Sequence, residues 1–205
     1  MQVTITVVSE KSTVRDKFHG LRLGHGLCIH IAIDNVQILF DMGLVGKILI
    51  KHMNDLNIIP DEIDKIVISH GHMDHVRGLK QFILNRTRED KIPLYAHLSI
   101  RKPKRACFHG IPLWNAGFPE IEDEILEKVD FVYNINSVQI APNLFTTGEI
   151  PIDKRTDFMH ISKYFCNKSQ EKWEQDLMID EQSLGSKDSQ FRISSSVSFL
   201  LTLLS

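Results

Sequence analysis

One stretch, IVISHGHMDH, constrains the fold of this chain more than any other. It runs from Ile66 to His75 and places three histidines and one aspartate directly behind an apolar run. An apolar run of this length is typical of a buried strand, and Leu79, Phe82 and Ile83 behind the loop have the spacing of one helix face. A strand, a polar loop and a helix in succession predict an α/β fold with a functional loop at the end of a strand.

The loop itself predicts a metal site. Side chains two residues apart in an extended loop point the same way, so His70 and His72 can bind one ion from the same side, with Gly71 leaving room for it. Asp74 and His75 are adjacent at the start of the helix and face a second ion more naturally. Imidazole and carboxylate donors suit Zn²⁺, and also Mn²⁺ or Fe²⁺. The sequence therefore predicts up to two ions, with Asp74 serving as a catalytic residue as well as a ligand.

Two alternatives stay open for this loop. In the first, the histidines are ordinary polar loop residues and Asp74 only caps the helix that follows. In the second, the loop binds metal but too weakly for catalysis. A catalytic zinc site has three protein ligands and a water whose pKa falls to about 7, whereas the loop offers only two donors per ion.

The rest of the chain reads as alternating strands and helices. A period-two pattern predicts a first strand, and two apolar runs around Asp34 predict a hairpin. Helical spacing follows Leu44 and recurs in PEIEDEILEKV, where Ile121, Ile125 and Val129 share one face. Further strands are predicted in IPLYAH and in FVYNINSVQIAPNLFTTGEIP.

The composition of the chain limits the classes of binding partner that we expect. The formal net charge of −2 and the lack of a basic tract give no reason to expect nucleic acid binding, and no apolar run reaches the roughly 20 residues that a membrane helix needs. A small-molecule substrate is the expected partner. Three widely spaced cysteines, Cys28, Cys107 and Cys166, predict reduced thiols and a cytoplasmic protein.

Several segments together carry a resemblance to a known family. In order, GHGLCIHI, ILFDMG, DKIVISHGHMDHVRGL, TGEIP and DLMIDEQSL resemble the metallo-β-lactamase superfamily. Within it they resemble the branch that includes the 7,8-dihydropterin-6-methyl-4-(β-D-ribofuranosyl)aminobenzene 5'-phosphate synthase. The resemblance covers Met1 to about Leu184. It implies an αββα sandwich with the metal loop at one edge of two sheets. It also implies a metal-dependent transferase or hydrolase acting on a phosphorylated or pterin-like small molecule, with two ions in complete members.

The resemblance also implies roles for residues outside the loop. Asp41 would orient the loop, although an aspartate before Met-Gly can simply form a turn. His25 would line the site, and His97 would contact the substrate or lie at the surface. Glu149 and Asp180 match family segments, but acids near strand ends are usually solvated.

The chain departs from the family after Leu184. Members continue with a strand, a Cys-Ser-His segment that supplies a third ligand, and a final histidine, and none of these is present. His109, His160 and Cys166 lie where the family does not bind metal. We therefore expect an incomplete metallo-β-lactamase-like domain over 1–184, with much of the second sheet missing, and an aberrant or disordered tail over 185–205. The alternatives are a truncated, inactive relic, or a homodimer in which the partner completes each site.

Overall fold

The computed structural model describes residues 2–10, 26–151, 164–169, 172–186 and 192–193. These residues form two compact units, each described here by itself. Unit 1 takes the described residues of Met1–Ile68, Met73–Tyr95 and Pro119–Val132, and unit 2 those of Ser69–His72, Ala96–Phe118 and Tyr133–Ser205. His70 and His72 of the predicted metal loop thus belong to unit 2, whereas Asp74 and His75 belong to unit 1.

Unit 1 is built on a six-stranded sheet in the order β1-β2-β3-β4-β5-β8. Its strands are β1 (Val3–Ser9), β2 (Cys28–Ile33), β3 (Val36–Phe40), β4 (Lys65–Val67), β5 (Ile92–Ala96) and β8 (Val129–Tyr133). The first three strands run antiparallel, and β4 and β5 continue parallel to β3. The helices are α1 (Gly46–Asp55), α2 (Met73–Val76), α3 (Leu79–Leu84) and α4 (Asp123–Leu126).

The core of unit 1 confirms the apolar patterns read from the sequence. Leu39, Phe40, Ile66 and Val67 on neighbouring strands are all fully buried. Consecutive buried residues are typical of parallel strands that are covered on both faces. The predicted hairpin is present too, with Asp34 at a φ of 50° in the turn, a conformation that aspartate tolerates better than most residues.

One helix is shorter than the sequence predicts. The spacing of Ile121, Ile125 and Val129 indicated one continuous helix, but α4 ends at Leu126 and Val129 begins β8 with only 5% of its surface exposed. The N–H of Ile92 donates to the carbonyl of Lys128, which ties this segment to β5. Sheet pairing therefore outweighs a helical pattern that rests on three residues.

Unit 2 contains two four-stranded sheets, in the orders β14-β13-β10-β9 and β12-β11-β6-β7. Their strands are β6 (Lys104–Phe108), β7 (Ile111–Asn115), β9 (Val138–Ala141), β10 (Leu144–Thr146), β11 (Phe165–Ser169), β12 (Lys172–Gln175), β13 (Leu184–Ser186) and β14 (Arg192–Ile193). The sequence did not predict β6, β7, β11 or β12. Strand β13 crosses the predicted boundary at residue 184, while the division into domain and tail stays a prediction.

The cysteines differ from expectation. Cys107 on β6 and Cys166 on β11 form a disulfide, with their Cα atoms 6.0 Å apart, so the prediction of three separate thiols is wrong for these two. Their separation of 59 residues gives no hint that β6 and β11 are neighbours. Cys28 is a free, buried thiol. Burial, followed by the charge of Asp41, raises the pKa of this thiol well above its ordinary value.

Candidate metal-binding loop

In unit 1, Asp41 and His75 form a close pair. Asp41 directly follows β3, and β4, which leads into the loop, is its parallel neighbour with Phe40 opposite Val67. The carboxyl ends of parallel strands meet at one edge of a sheet. There Oδ2 of Asp41, fully buried, lies 2.7 Å from Nδ1 of His75. Because a carboxylate only accepts, Nδ1 carries the proton and the lone pair of the imidazole is on Nε2.

Asp41 achieves this contact at some conformational cost. Its φ of 62° is unusual for a residue with a Cβ, and sparsely populated backbone conformations of this kind cluster at functional sites. The backbone N–H of Asp41 donates to the carbonyl of Val67, and that of Met42 to the carbonyl of His75. Strand β3 and the start of α2 are therefore fixed to each other by main chain as well as by side chains.

Asp74 lies beside the other nitrogen of His75. Its Oδ2 is 3.6 Å from His75 Nε2, and 39% of its side chain is exposed. That distance is too long for a hydrogen bond, but it suits two atoms that bind one cation at about 2.0–2.2 Å each. The first turn of α2 thus presents one imidazole and one carboxylate together.

In unit 2, His70 and His72 each face a buried carboxylate. Nδ1 of His70 lies 3.2 Å from Oε2 of Glu181, and Nε2 of His72 lies 3.0 Å from Oδ2 of Asp176. The two rings are arranged edge to face, with centroids 4.8 Å apart. The carboxylate of Asp176 accepts at Nε2 of His72 and so places the lone pair of that ring on Nδ1, whereas Nδ1 of His70 also lies 3.0 Å from the hydroxyl oxygen of Ser69.

A single segment, DLMIDE over 176–181, supports three successive loop residues. Glu181 faces His70, Asp176 faces His72, and between them Oδ2 of Asp180 accepts the N–H of Gly71 at 2.8 Å. All three carboxylates are buried, so the expectation that Asp180 is solvated is wrong. Sequence reasoning missed Asp176 and Glu181 as well, although the resemblance of DLMIDEQSL pointed to this segment.

Lys104 is the cation of this cluster. Its Nζ donates to Oδ2 of Asp176 at 2.8 Å and to Oδ1 of Asp180 at 3.0 Å, and it is only 3% exposed. Burial works against the charge on Lys104, but Asp180 and Asp176 outweigh it and raise its pKa. Burial likewise opposes the charge on Asp176, yet the contacts with His72 and Lys104 hold its pKa well below the ordinary value. Nothing in the sequence distinguished Lys104 from the other basic residues around it.

The space around Gly71 is filled by protein. A Cβ at this position would lie 2.5 Å from the carbonyl oxygen of Ile100 and 3.1 Å from both Asp180 Oδ2 and Lys104 Cε. The sequence suggested that glycine leaves room for an ion. In the structure it lets the backbone of the 97–100 turn, the acidic segment and the lysine approach the loop.

His97 precedes that turn. Its Nδ1 accepts the N–H of Ser99 at 3.1 Å, so the neutral ring carries its proton on Nε2, which lies 3.4 Å from Oε2 of Glu149. His97 is buried, whereas 46% of the Glu149 side chain is exposed. The structure therefore does not place His97 at the surface. Its contact with a substrate stays a prediction, and His25 and His160 lie outside the described residues.

The donor chemistry fits a divalent cation, but the donor count is low. His72 and His75 each have a carboxylate at the nitrogen that carries the proton, which is how proteins fix the tautomer of a metal-binding histidine. Across the part of the chain that the structure describes, no group of three or more His, Cys, Asp or Glu side chains is arranged to hold an ion. On the predicted assignment, the loop would supply two donors from His70 and His72, and two from Asp74 and His75.

A comparison with family models identifies the chain. The model for the family described as Anti-Pycsar protein Apyc1 matches residues 28–198. The chain belongs to the Apyc1 family. That match includes the whole loop, the acidic segment over 176–181 and both sheets of unit 2.

Relatives with similar sequences support the assignment to the superfamily. The chain is 31% identical over 140 residues to the 7,8-dihydropterin-6-methyl-4-(β-D-ribofuranosyl)-aminobenzene-5'-phosphate synthase of Methanocaldococcus jannaschii, covering 65% of this chain and 47% of that protein. It is 30% identical over 127 residues to the uncharacterized protein MJ0448 of the same organism, covering 62% and 47%. This member of the Apyc1 family thus spans about half the length of the curated relatives it matches.

A solved structure shows the same fold. Tm1679, described as a metal-dependent hydrolase of the β-lactamase superfamily, superposes with a TM-score of 0.66 at 22% identity, over 93% of this chain and 64% of that one. The predicted fold class, an α/β fold of the metallo-β-lactamase superfamily, is confirmed. Within the described residues, no helix is both long and apolar enough to span a membrane.

Proposed function

We propose that this chain is a metal-dependent enzyme, a hydrolase or transferase that acts on a phosphorylated or pterin-like small molecule. One observation carries the proposal: every imidazole of the HGHMDH loop faces a buried carboxylate, at 3.2 Å for His70, 3.0 Å for His72 and 2.7 Å for His75. Burying three carboxylates is costly unless each is paired. Ordinary loop histidines have no need of such partners, whereas metal-binding histidines do.

His70 and His72 would hold one ion through Nε2 and Nδ1, and Asp74 with Nε2 of His75 would hold a second. Zn²⁺, Mn²⁺ or Fe²⁺ would supply Lewis acidity toward a phosphoryl or carbonyl oxygen. The half-exposed carboxylate of Asp74 can also accept a proton. The N–H on Nε2 of His97 can donate a hydrogen bond to an anionic oxygen of the substrate.

The substrate class rests on the relatives. The synthase from M. jannaschii is named for a pterin and a ribofuranosyl phosphate, and Tm1679 for metal-dependent hydrolysis. A synthase role would form a C–N bond as a C–O bond to a leaving diphosphate breaks, and a hydrolase role would add water across an ester, lactone or amide bond. Both roles need a small molecule with an anionic or carbonyl oxygen that a bound cation can polarise.

Metal content tests the proposal first. The purified full chain is stripped with a chelator, reloaded separately with Zn²⁺, Mn²⁺ or Fe²⁺, dialysed and analysed for bound metal. It is then assayed on a panel of phosphodiesters, phosphomonoesters and lactones, and on a pterin with a ribosyl phosphate. We expect one to two tightly held ions per chain, and turnover that disappears on stripping.

Matched variants locate the ions. His72→Ala and His75→Ala should each lower the bound metal, whereas His109→Ala, in the exposed turn between β6 and β7, should not. A folded wild-type chain that retains no ion and turns nothing over would instead support an inactive relic. Native mass measurement tests the homodimer, since a site completed by a partner requires a stable dimer whenever metal is bound.

A further inference from the structure

Lys104 occupies an unusual environment for a lysine. It begins β6, is 3% exposed, and its ammonium group contacts two fully buried carboxylates, those of Asp176 and Asp180. Lysine is almost never buried to this degree unless it is paired. The main chain on either side is fixed as well, since Lys104 is opposite Asn167 on β11 and its carbonyl accepts the N–H of Ala116.

Both carboxylates that contact Lys104 also contact the loop. Oδ2 of Asp176 receives Lys104 at 2.8 Å and lies 3.0 Å from Nε2 of His72. Asp180 receives Lys104 on Oδ1 at 3.0 Å and the N–H of Gly71 on Oδ2 at 2.8 Å. One ammonium group is thereby linked, through one carboxylate each, to two consecutive residues of the loop.

The charges explain why the lysine is needed. Asp176 and Asp180 are two buried carboxylates that share one ammonium group, and burying a charge is costly unless it is paired. The other bonds of Asp176, from Asn167 at 3.2 Å and from the N–H of Met178 at 2.8 Å, fix its orientation but bring no positive charge.

We propose that Lys104 is a positioning residue for the ion-binding loop, acting through Asp176 on the His72 ring and through Asp180 on the Gly71 backbone. This inference rests on the proposed function, because a positioned imidazole matters only if it binds an ion. It gives a role to a residue that contacts none of the predicted ligands directly.

The test compares Lys104→Met with Arg86→Met. Arg86 is also a buried cation, 5% exposed and paired with Asp90, but it lies in unit 1 and contacts no loop residue among its described partners. Zn²⁺ affinity is measured on each folded full-length protein by competition with a chromophoric chelator. We expect Lys104→Met to weaken binding by about 10–100-fold, as supporting residues around metal ligands do, and Arg86→Met to leave it unchanged.

A metal-free measurement separates this inference from the proposed function. Ring ¹⁵N spectra of His72 in the stripped protein should show a single tautomer, with the proton on Nε2, in the wild type and mixed tautomers in Lys104→Met. If the wild type binds no Zn²⁺, the proposed function fails, and these spectra alone decide whether Lys104 positions the ring.

Two outcomes would overturn the inference. The first is a folded Lys104→Met variant in which both the Zn²⁺ affinity and the His72 ring signals are unchanged. The second is an equal loss of Zn²⁺ affinity in Arg86→Met, since that loss would reflect general destabilisation. If Lys104→Met does not fold, Lys104→Gln, which keeps an N–H donor and removes the charge, is subjected to the same two measurements.

Discussion

The two units hold their histidines by different means. In unit 1, Nδ1 of His75 is hydrogen-bonded to Asp41, 34 residues away at the end of a neighbouring parallel strand. In unit 2, His72 has its partner 104 residues away, inside a cluster of three carboxylates and one lysine. The first arrangement follows from strand pairing in an apolar sheet. The second exists only when several distant, charged segments have come together.

This difference predicts which kind of substitution should destabilise each half of the loop. The position of Asp41 depends on the packing of β3, so we expect unit 1 to be sensitive to cavities. The cluster in unit 2 depends on charge balance, so we expect it to be sensitive to the loss of one charge even when the shape is kept. Four substitutions test this contrast, in order of decreasing effect.

Emptying the core beside Asp41 should have the largest effect. Phe40 is fully buried and immediately precedes Asp41. Phe40→Ala should lower the free energy of unfolding by about 3–5 kcal/mol, because it loses buried apolar surface and leaves a cavity. Urea denaturation measures the change. Phe108→Ala, at a side chain that is 62% exposed, should shift the same transition by less than about 0.5 kcal/mol. Similar values for the two would refute the dependence on packing.

Removing one charge from the cluster should come next. Asp180→Asn keeps the size of the side chain but leaves buried Lys104 with Asp176 as its charged partner. We expect a loss of roughly 2–3 kcal/mol, somewhat below that for breaking a fully isolated buried pair. The control is Glu174→Gln on β12, where the side chain is exposed. A stability equal to that of the control would show that charge balance does not hold this cluster together.

Replacing the partner of His75 should have a smaller effect. Asn tolerates the positive φ of Asp41, so Asp41→Asn removes the charge without adding backbone strain. Loss of one charge-assisted hydrogen bond should cost about 1–3 kcal/mol. Asp41→Ala should cost more, because it also leaves Nδ1 of His75 without an acceptor. Calorimetry of the two variants checks the order, and an equal loss in both would show that the contact with His75 contributes little.

An exposed carboxylate should show the smallest effect and serves as a contrast to the buried ones. Bonds from the Thr87 hydroxyl and backbone hold the pKa of Asp61 below its ordinary value. When the pKa of a carboxyl group is lower in the folded state than in the unfolded state, the group stabilises the folded protein. This stabilisation is fully present above the unfolded pKa of about 4, and it is lost as the pH falls through the lower pKa of the folded state. Thermal unfolding of wild type and Asp61→Asn should therefore differ slightly at pH 7 and converge in acid. A difference that grows in acid would contradict this sign.

The sequence predicted unit 1 well because its information is local. Alternating or continuous apolar runs predicted β1 to β5, and helical spacing predicted α1 and α3. The family resemblance of ILFDMG pointed to Asp41. The sequence-based prediction was wrong at α4. Three residues with helical spacing predicted a longer helix there, but the segment that follows pairs with β5 instead.

Unit 2 was predicted poorly because its defining contacts are long-range. Lys104 sits in a basic stretch and Asp176 in an acidic one, and each reads as an exposed charge until β6, β11 and the 176–181 segment are adjacent. The disulfide between Cys107 and Cys166 escaped detection for the same reason. The four loop residues were predicted as ligands from their spacing, whereas the carboxylates beside His70 and His72 were not predicted.

The distance along the chain between His72 and Asp176 also matters while the protein is being made. Translation adds about 5–20 residues per second, so the 104 residues between them take roughly 5–20 s to synthesise. During that interval His70 and His72 are already part of the nascent chain, but their carboxylates do not yet exist. A nascent chain therefore exposes an unsupported pair of imidazoles to whatever cations the surroundings contain, and this half of the loop can mature only after DLMIDE has been released.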